Sequence, residues 1–288
     1  MSDLSPLTSL SAALAATVAA AAPSLVSVHS HRSRASGFLW KPGLVVTADE
    51  ALADEGEITL ALADGRTRPA SIVGRDHTTD IALLRVEGAE APVMPMAAQV
   101  PPLGALAVIV AADQGTPVAA LAMVAKSAGR WRSLRGGEID ARIELDTRLR
   151  HSSEGGLVLD SEGRAIGMAV RGPRRTLVIP GATIARVAAR LESHGRIARG
   201  YLGAALQPVK LDDGIGAMIM SVDKAGPAAA AGLRQGDVIT ALNNAPFSGM
   251  RALMRELGPD SVGAVVEVSA LRAGEPVRMA LTIGERPA

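Results

Sequence analysis

Short apolar runs separated by turn residues fill the chain from residue 35 to about residue 170. Runs of strand length lie at 44–47, 58–62, 81–86 and 105–110. The second of these is followed by Asp64-Gly65, a strong signal for a hairpin turn. Many short strands with turns between them are typical of a sandwich or a barrel, so the pattern predicts a mainly β domain.

One helix is predicted after these strands, before Gly195. Its apolar residues at i, i+3, i+4 and i+7 are Ile184, Val187, Ala188 and Leu191. That spacing places them on one face of an α-helix. Beyond about Gly200 the pattern changes, because strand-like runs alternate with helical stretches over 88 residues, which is enough for a module that folds on its own.

The N-terminus also has helical spacing. Leu7, Leu10, Leu14 and Val18 recur among alanines, which predicts a helix of the mature protein within residues 1–22. A signal peptide is the alternative, but Asp3 is the first charge and no Lys or Arg precedes Arg32. The alanine-rich run predicts no integral membrane span, and the missing basic segment favours the cytoplasm, with the periplasm as the alternative compartment.

Composition narrows the chemistry. The 288 residues are 48% hydrophobic and only 2% aromatic, and the net charge of +1 predicts no nucleic-acid partner. The absence of cysteine excludes disulfides and thiol catalysis. The five histidines show no metal-ligand spacing, so neither a metal nor an organic cofactor is predicted.

A polar loop within residues 145–156 is the first candidate site. Ser153 lies shortly before Gly155-Gly156, and an apolar strand follows at once. A serine on such a loop can present its hydroxyl as a nucleophile. The alternative interpretation is an ordinary polar loop between two barrel strands.

Several segments, taken in order, resemble the HtrA/Deg family of trypsin-like serine proteases. They are Ser36-Gly37-Phe38, 44–47, 74–84, 155–158 and 163–167, followed by 199–203 and 231–239. The resemblance implies a mainly β fold: two perpendicular barrels with a cleft between them, then a C-terminal α/β PDZ domain that binds peptides. It implies boundaries at 1–22 for the N-terminal helix, 23–198 for the trypsin-like domain and 199–288 for the PDZ domain.

The resemblance places the family's catalytic residues on this chain. The aspartate matches Asp80, and a gapless alignment matches the nucleophile to Ser153. A rival alignment with one deletion puts Glu154 there instead. The histidine position is Glu50, whose usual pKa of ~4.3 leaves no proton to donate at neutral pH, whereas histidine at ~6.5 can accept and return one.

The oxyanion loop departs from the family as well. Its two glycines match His151 and Glu154, and a carboxylate beside a developing negative charge is unfavourable. His77 and His151 are candidate substitute bases, but neither has the family's spacing. We therefore predict a catalytically inactive pseudoprotease, with a serine endopeptidase of residual activity as the alternative function.

The PDZ resemblance implies a peptide-binding loop and groove. Tyr201, Leu202, Gly203 and Ala204 match the loop that receives a peptide carboxylate, and Met250, Leu253 and Met254 are candidates for the groove wall. Ordinary helix-to-core packing is the alternative role of those three residues. The implied partners are peptides or unfolded protein C-termini, and the family implies a trimer, although the N-terminus has no aromatic cluster to support one.

Overall fold

The computed structural model describes residues 5–31, 33–54, 56–90, 92–212 and 214–287. The chain divides into two compact units, one formed by residues 1–131 and 138–196 and the other by residues 132–137 and 197–288.

The first unit is built almost entirely from strands. They are β1 (Leu25–Ser30), β2 (Ser33–Lys41), β3 (Leu44–Thr47), β4 (Ile58–Leu62), β5 (Thr67–Asp76), β6 (Ile81–Val86), β7 (Leu106–Asp113), β8 (Thr116–Ala128), β9 (Trp131–Arg132), β10 (Glu138–Ile139), β11 (Arg142–Leu145), β12 (Leu157–Leu159), β13 (Ala165–Arg171) and β14 (Thr176–Pro180). Strands β1 to β6 close one barrel in the order β1-β2-β3-β6-β5-β4. A second barrel has the order β11-β14-β13-β12-β7-β8, and β9 and β10 form a separate small sheet.

Both barrels have apolar interiors built mainly from aliphatic side chains. In the first, Phe38, Leu60 and Leu83 are fully buried, and β4 alternates buried and half-buried positions as a strand with one covered face should. In the second, the core cluster includes Ile143, Leu145 and Val158. The prediction of a barrel built from many short strands is confirmed.

Helix α1 (Pro6–Ala21) precedes β1 through a 3₁₀ turn at Ala22–Ser24. Leu7 and Leu10 are 75% and 42% exposed, so the predicted apolar stripe is not packed along its first turns. By length and composition, Pro6–Ser24 is able to span a membrane, a test that signal sequences near an N-terminus also pass. Length and composition alone therefore do not exclude a membrane span, and the prediction of none stays a prediction.

Helix α2 (Gly181–His194) follows β14 directly. It buries Ile184, Val187, Ala188 and Leu191, as its periodicity predicts. Gly195 ends it in the left-handed conformation, with its N–H donating to the Leu191 carbonyl. A Cβ at Gly74 of β5 would lie 2.4 Å from the Gly195 carbonyl oxygen, so glycine there permits close approach of helix and barrel.

The second unit is a sheet with two short helices. Its elements are β15 (Gly200–Tyr201), β16 (Ala204–Leu211), β17 (Gly214–Val222), α3 (Pro227–Ala230), β18 (Val238–Leu242), β19 (Ala245–Pro246), α4 (Met250–Glu256), β20 (Val265–Arg272), β21 (Glu275–Thr282) and β22 (Gly284–Glu285). The main sheet has the order β16-β17-β18-β20-β21, with β19 paired to β18. Strand β16 therefore lies at one edge of the sheet and β21 at the other.

Candidate functional site

The loop between β11 and β12 forms a tight turn around the candidate nucleophile. His151–Ser153 is one turn of 3₁₀ helix, in which the Ser153 N–H donates to the Arg150 carbonyl at 3.0 Å. The Gly156 N–H donates to the Ser153 carbonyl at 3.1 Å, so the backbone is bound on both sides of the serine. Ser153 is 8% exposed, and its hydroxyl forms no hydrogen bond with any described residue.

Gly155 joins this loop to the first barrel. It has a φ of +87°, and an added Cβ would lie 2.1 Å from the Ser36 carbonyl oxygen and 2.8 Å from Thr47 Oγ1. The Ser36 N–H donates to the Glu154 carbonyl at 2.7 Å. The loop of the second barrel is thus held against β2 and the end of β3, close to the chain that leads to Glu50.

Asp80 and Glu50 lie together, as the resemblance predicts. The Glu50 N–H donates to Asp80 Oδ1 at 2.7 Å, and the Asp49 N–H approaches the Asp80 carbonyl at 3.4 Å. Asp80 has a φ of +59°, a conformation that aspartate tolerates better than most residues. Glu50 is exposed.

Burial raises the pKa of Asp80 to about 7. The hydrogen bond from the Glu50 N–H opposes this shift, whereas the negative charges of Glu50, Glu154 and Asp49 add to it. Asp80, the candidate triad carboxyl, therefore has other carboxylates near it, each of which disfavours its ionised form.

Glu154 is buried and bound by one arginine. Its Oε1 accepts the Arg171 backbone N–H at 3.3 Å, and its Oε2 accepts a guanidinium N–H of Arg171 at 2.9 Å. The same guanidinium nitrogen contacts His151 Nδ1. The two oxyanion-loop residues predicted from sequence thus lie together with Arg171, which the sequence gives no reason to select.

The two candidate substitute histidines have other contacts. His77 Nδ1 pairs with Asp49 Oδ2, and Arg75 binds the other oxygen of the buried Asp49. The side chains of the two histidines are mostly exposed, at 51% for His77 and 67% for His151. Among the described residues, no group of three His, Asp or Glu side chains is placed to hold a metal ion.

The predicted peptide loop of the second unit has unused donors. Gly203 has a φ of +76°, and the carbonyls of Leu202 and Gly203 accept the N–H groups of Ala228 and Asp223. Outside the strand ladders, no described carbonyl accepts the N–H of Leu202 or Gly203. Adjacent backbone donors of this kind can receive a carboxylate.

Edge strand β16 begins directly after this loop, and α4 carries the predicted wall residues. Leu253 is 3% exposed and belongs to the core of the unit, which favours the packing alternative for this residue, and its role as a groove wall stays a prediction. Met250 is half-buried against that core, and Met254 is 46% exposed. Leu206 on β16 is also half-buried against the core, and the sequence analysis missed it although it lies two residues from Ala204.

Comparisons with known proteins agree with this geometry. Residues 35–168 match the model of a trypsin-like peptidase domain, and residues 200–283 match a PDZ domain. A Chlamydia trachomatis protein named "Probable periplasmic serine endoprotease DegP-like" is 29% identical over 271 residues, covering 88% of this chain and 54% of its own. A Pseudomonas fluorescens protein of the same name is 28% identical over 273 residues, covering 89% and 57%.

Solved structures match over nearly the whole chain. A serine endoprotease from Yersinia pestis superimposes with a TM-score of 0.71 at 25% identity, covering 95% of this chain and 98% of its own. The HtrA-type protease AlgW with a decapeptide gives a TM-score of 0.70 at 22% identity, covering 96% and 99%, which shows the fold alone.

Fold and matches together define a trypsin-like peptidase domain followed by a PDZ domain. The order of these two domains, together with the DegP-like relatives, supports membership of the HtrA family. The chain spans about half the length of the curated relatives it matches.

Proposed function

We propose that this chain is a pseudoprotease of the HtrA family that binds protein C-termini through its PDZ domain. The observation that carries the proposal is that a glutamate, and not a histidine, lies beside Asp80. Glu50, in the position of the general base, contacts Asp80 through its backbone N–H and adds a negative charge.

The chemistry of acyl transfer explains why glutamate in place of histidine at position 50 matters. The base must remove the proton of Ser153 and then return a proton to the leaving amine, which histidine does near neutral pH. A carboxylate at Glu50 has no proton to return, and the raised pKa of Asp80 makes that residue a poor partner for a developing positive charge. Loss of one triad residue lowers turnover by about 10⁴–10⁶ in well-studied serine proteases.

The second departure is the charge of the oxyanion loop. Glu154 is the residue after Ser153. Burial is the main cause of the raised pKa of Asp80, and the negative charge of Glu154 adds to it. Transition states of acyl transfer need hydrogen-bond donors where oxygen becomes negative. A buried carboxylate there opposes the reaction, even though Arg171 neutralises part of its charge.

The PDZ proposal rests on Leu202, Gly203 and β16. Two adjacent N–H groups without a described carbonyl acceptor lie next to an open strand edge, which suits a peptide that adds as a strand and ends in a free carboxylate. Met250 and Leu206, both half-buried against the same core, are the apolar side chains proposed to contact the ligand.

A serine endopeptidase is the second candidate function. Its support is the naming of the relatives, which are called serine endoproteases and match both domains. Within the described structure the Ser153 hydroxyl forms no hydrogen bond, so no described protein group occupies it.

Two assays test the proposal. The purified chain should neither cleave unfolded casein nor react with a serine-directed fluorophosphonate, whereas labelling that disappears in Ser153→Ala would establish the endopeptidase. For the PDZ domain, apolar peptides with a free C-terminus should bind, and the same peptides with an amidated C-terminus should not. Equal binding of both forms refutes carboxylate recognition.

The compartment, the domain boundaries and the oligomeric state are part of the same proposal. The relatives are named periplasmic and α1 is apolar, which favours the periplasm over the cytoplasm predicted from the missing basic segment. Functionally we assign residues 23–198 to the pseudoprotease domain and 199–288 to the PDZ domain. Family membership supports an oligomer, and the trimer remains a prediction.

A further inference from the structure

Four arginines extend from two loops near the candidate nucleophile. Arg148 and Arg150 lie in the segment between β11 and Ser153, and Arg174 and Arg175 lie in the turn between β13 and β14. We refer to these four residues as the arginine cluster. All four are exposed.

The two loops are tied together at their bases. The Thr176 N–H and hydroxyl both donate to the Thr147 carbonyl, at 2.9 Å and 3.0 Å. Strand pairing places Leu145 opposite Thr176, and Arg171 contacts His151 across the same gap. The arginine cluster is therefore one surface of the second barrel and not two separate loops.

The positive charge of this surface is not neutralised locally. Among the described residues, no acidic side chain pairs with any guanidinium of the arginine cluster. The nearest acids in sequence are Asp146, whose Oδ1 accepts the Met123 N–H, and the buried Glu154, which Arg171 binds. Four unpaired charges stand out in a chain whose net charge is only +1.

The molecule already holds one carboxylate beside this surface. Arg171 binds Glu154 through its guanidinium and its backbone N–H together. Guanidinium groups suit carboxylates because their donors match the two oxygens in one plane. Carboxylates of a second chain can use the same chemistry at the four arginines that remain unpaired.

We propose that the arginine cluster binds an acidic segment of a partner polypeptide, at the mouth of the site that contains Ser153. This goes beyond the PDZ function, because it assigns a ligand class to the first unit and needs no free C-terminus. A polypeptide fits better than nucleic acid, because the charge is confined to two loops that contain no Phe, Trp or Tyr side chain for base stacking. The five such residues of the chain, Phe38, Trp40, Trp131, Tyr201 and Phe247, all lie elsewhere.

The test is a fluorescence anisotropy titration of the full chain with a labelled, glutamate-rich peptide that is acetylated and amidated. Amidation removes the carboxylate that the PDZ domain is proposed to bind. A negative result with this peptide therefore counts against the arginine cluster and leaves the PDZ proposal untouched. We expect binding that weakens with added salt, and at least about tenfold weaker binding when glutamine replaces glutamate in the peptide.

Charge reversal locates the surface. Arg148→Glu with Arg150→Glu, and separately Arg174→Glu with Arg175→Glu, should each weaken binding by at least about fivefold. The matched control is Arg34→Glu with Arg85→Glu, exposed arginines on β2 and β6 that give the same change in net charge. Circular dichroism checks folding, and glutamine variants replace any reversal that unfolds the chain.

Three results overturn the proposal. The control pair weakens binding as much as the cluster pairs, the glutamine peptide binds equally well, or a single-stranded oligonucleotide with the same number of negative charges competes at lower concentration than the acidic peptide.

Discussion

The loop at 151–156 and the loop at 201–204 share one backbone feature, a glycine with positive φ, but differ in the charges and donors around it. Each turns on a glycine with positive φ, +87° at Gly155 and +76° at Gly203. Around Gly203 the adjacent N–H groups have no described carbonyl acceptor, whereas beside Gly155 the buried carboxylate of Glu154 is bound by Arg171. Loops that turn on a positive-φ glycine can therefore carry very different charges.

The largest expected effect comes from replacing the residues at positions 50, 151 and 154 with those of the family pattern. Glu50→His combined with His151→Gly and Glu154→Gly should react with a fluorophosphonate about 10²–10³ times faster than Glu50→His alone, because the single change leaves the oxyanion loop unaltered. The effects should not add, since base and oxyanion donors act as a unit. Labelling kinetics followed by intact-mass analysis measure this.

Ser153→Ala in the triple variant is the control and should abolish labelling. A folded triple variant that stays inert contradicts the idea that these three positions alone account for inactivity. It would also reopen the alternative alignment that places Glu154 at the nucleophile position.

The next effect concerns the close contact of Gly155. Gly155→Ala should lower the free energy of unfolding by about 4 kcal/mol, since its Cβ would lie 2.1 Å from a backbone oxygen at positive φ. Gly232→Ala in the PDZ domain is the matched control, with a φ of +81° and no atom within 4 Å of the added Cβ. It should cost about 1 kcal/mol in urea unfolding. Equal losses would mean that the contact contributes nothing.

A smaller effect distinguishes the two domains by pH. The raised pKa of Asp80, about 7 when folded against 3.8 when unfolded, means that its contribution is full below pH 3.8 and is lost as pH rises toward 7. We expect unfolding free energy to fall by about 2–3 kcal/mol between mildly acidic and neutral pH from this group. Asp80→Asn should remove that slope while its amide oxygen still accepts the Glu50 N–H.

Asp237 in the PDZ domain provides the opposite sign. The hydrogen bond from Arg272 holds the pKa of that buried carboxyl below its usual value. Its stabilising contribution is present above the unfolded pKa and is lost as pH falls through the folded one. Urea titrations of wild type, Asp80→Asn and Asp237→Asn across acidic and neutral pH give the contribution of each carboxyl as the difference between wild type and the variant. The two differences should change with pH in opposite directions, and a change in the same direction would contradict the assignments.

The smallest effect tests the PDZ groove. Met250→Ala should weaken binding of a free-C-terminus peptide by about three- to fivefold, because the side chain is half-buried on α4. Met279→Ala is the control, since Met279 is half-buried against the same core on β21, at the far edge of the sheet from β16. Isothermal titration calorimetry that finds equal losses would place the ligand elsewhere.

Much of the fold follows from periodicity and turn residues, as α2 shows with its four predicted buried positions and its glycine end. The N-terminal helix shows the limit, because an apolar stripe does not say whether it is covered by protein. Leu253 and Met254 are adjacent in sequence but one is in the core and the other is exposed. Only the orientation of α4 on the sheet decides between them.

The candidate site divides in the same way. Glu50, Asp80 and Ser153 can be selected from aligned motifs, because each lies next to a strand end. Arg171 cannot, because its pairing with Glu154 joins residues 17 apart through the closure of the second barrel. The raised pKa of Asp80 depends on burial and on three carboxylates from two barrels, which no local pattern contains.

The open edge of β16 has a further consequence that comes from Pro208. Proline has no N–H, and within sheets it lies where that missing donor faces away from the neighbouring strand. A peptide that adds along β16 therefore loses a ladder bond at Pro208, two residues beyond Leu206. The same gap, with Lys210 two residues further along the strand, discourages a second copy of the sheet from pairing edge to edge. If a peptide adds along β16 as proposed, we expect the pairing to stop near Pro208, so that only the last few residues of the ligand are recognised.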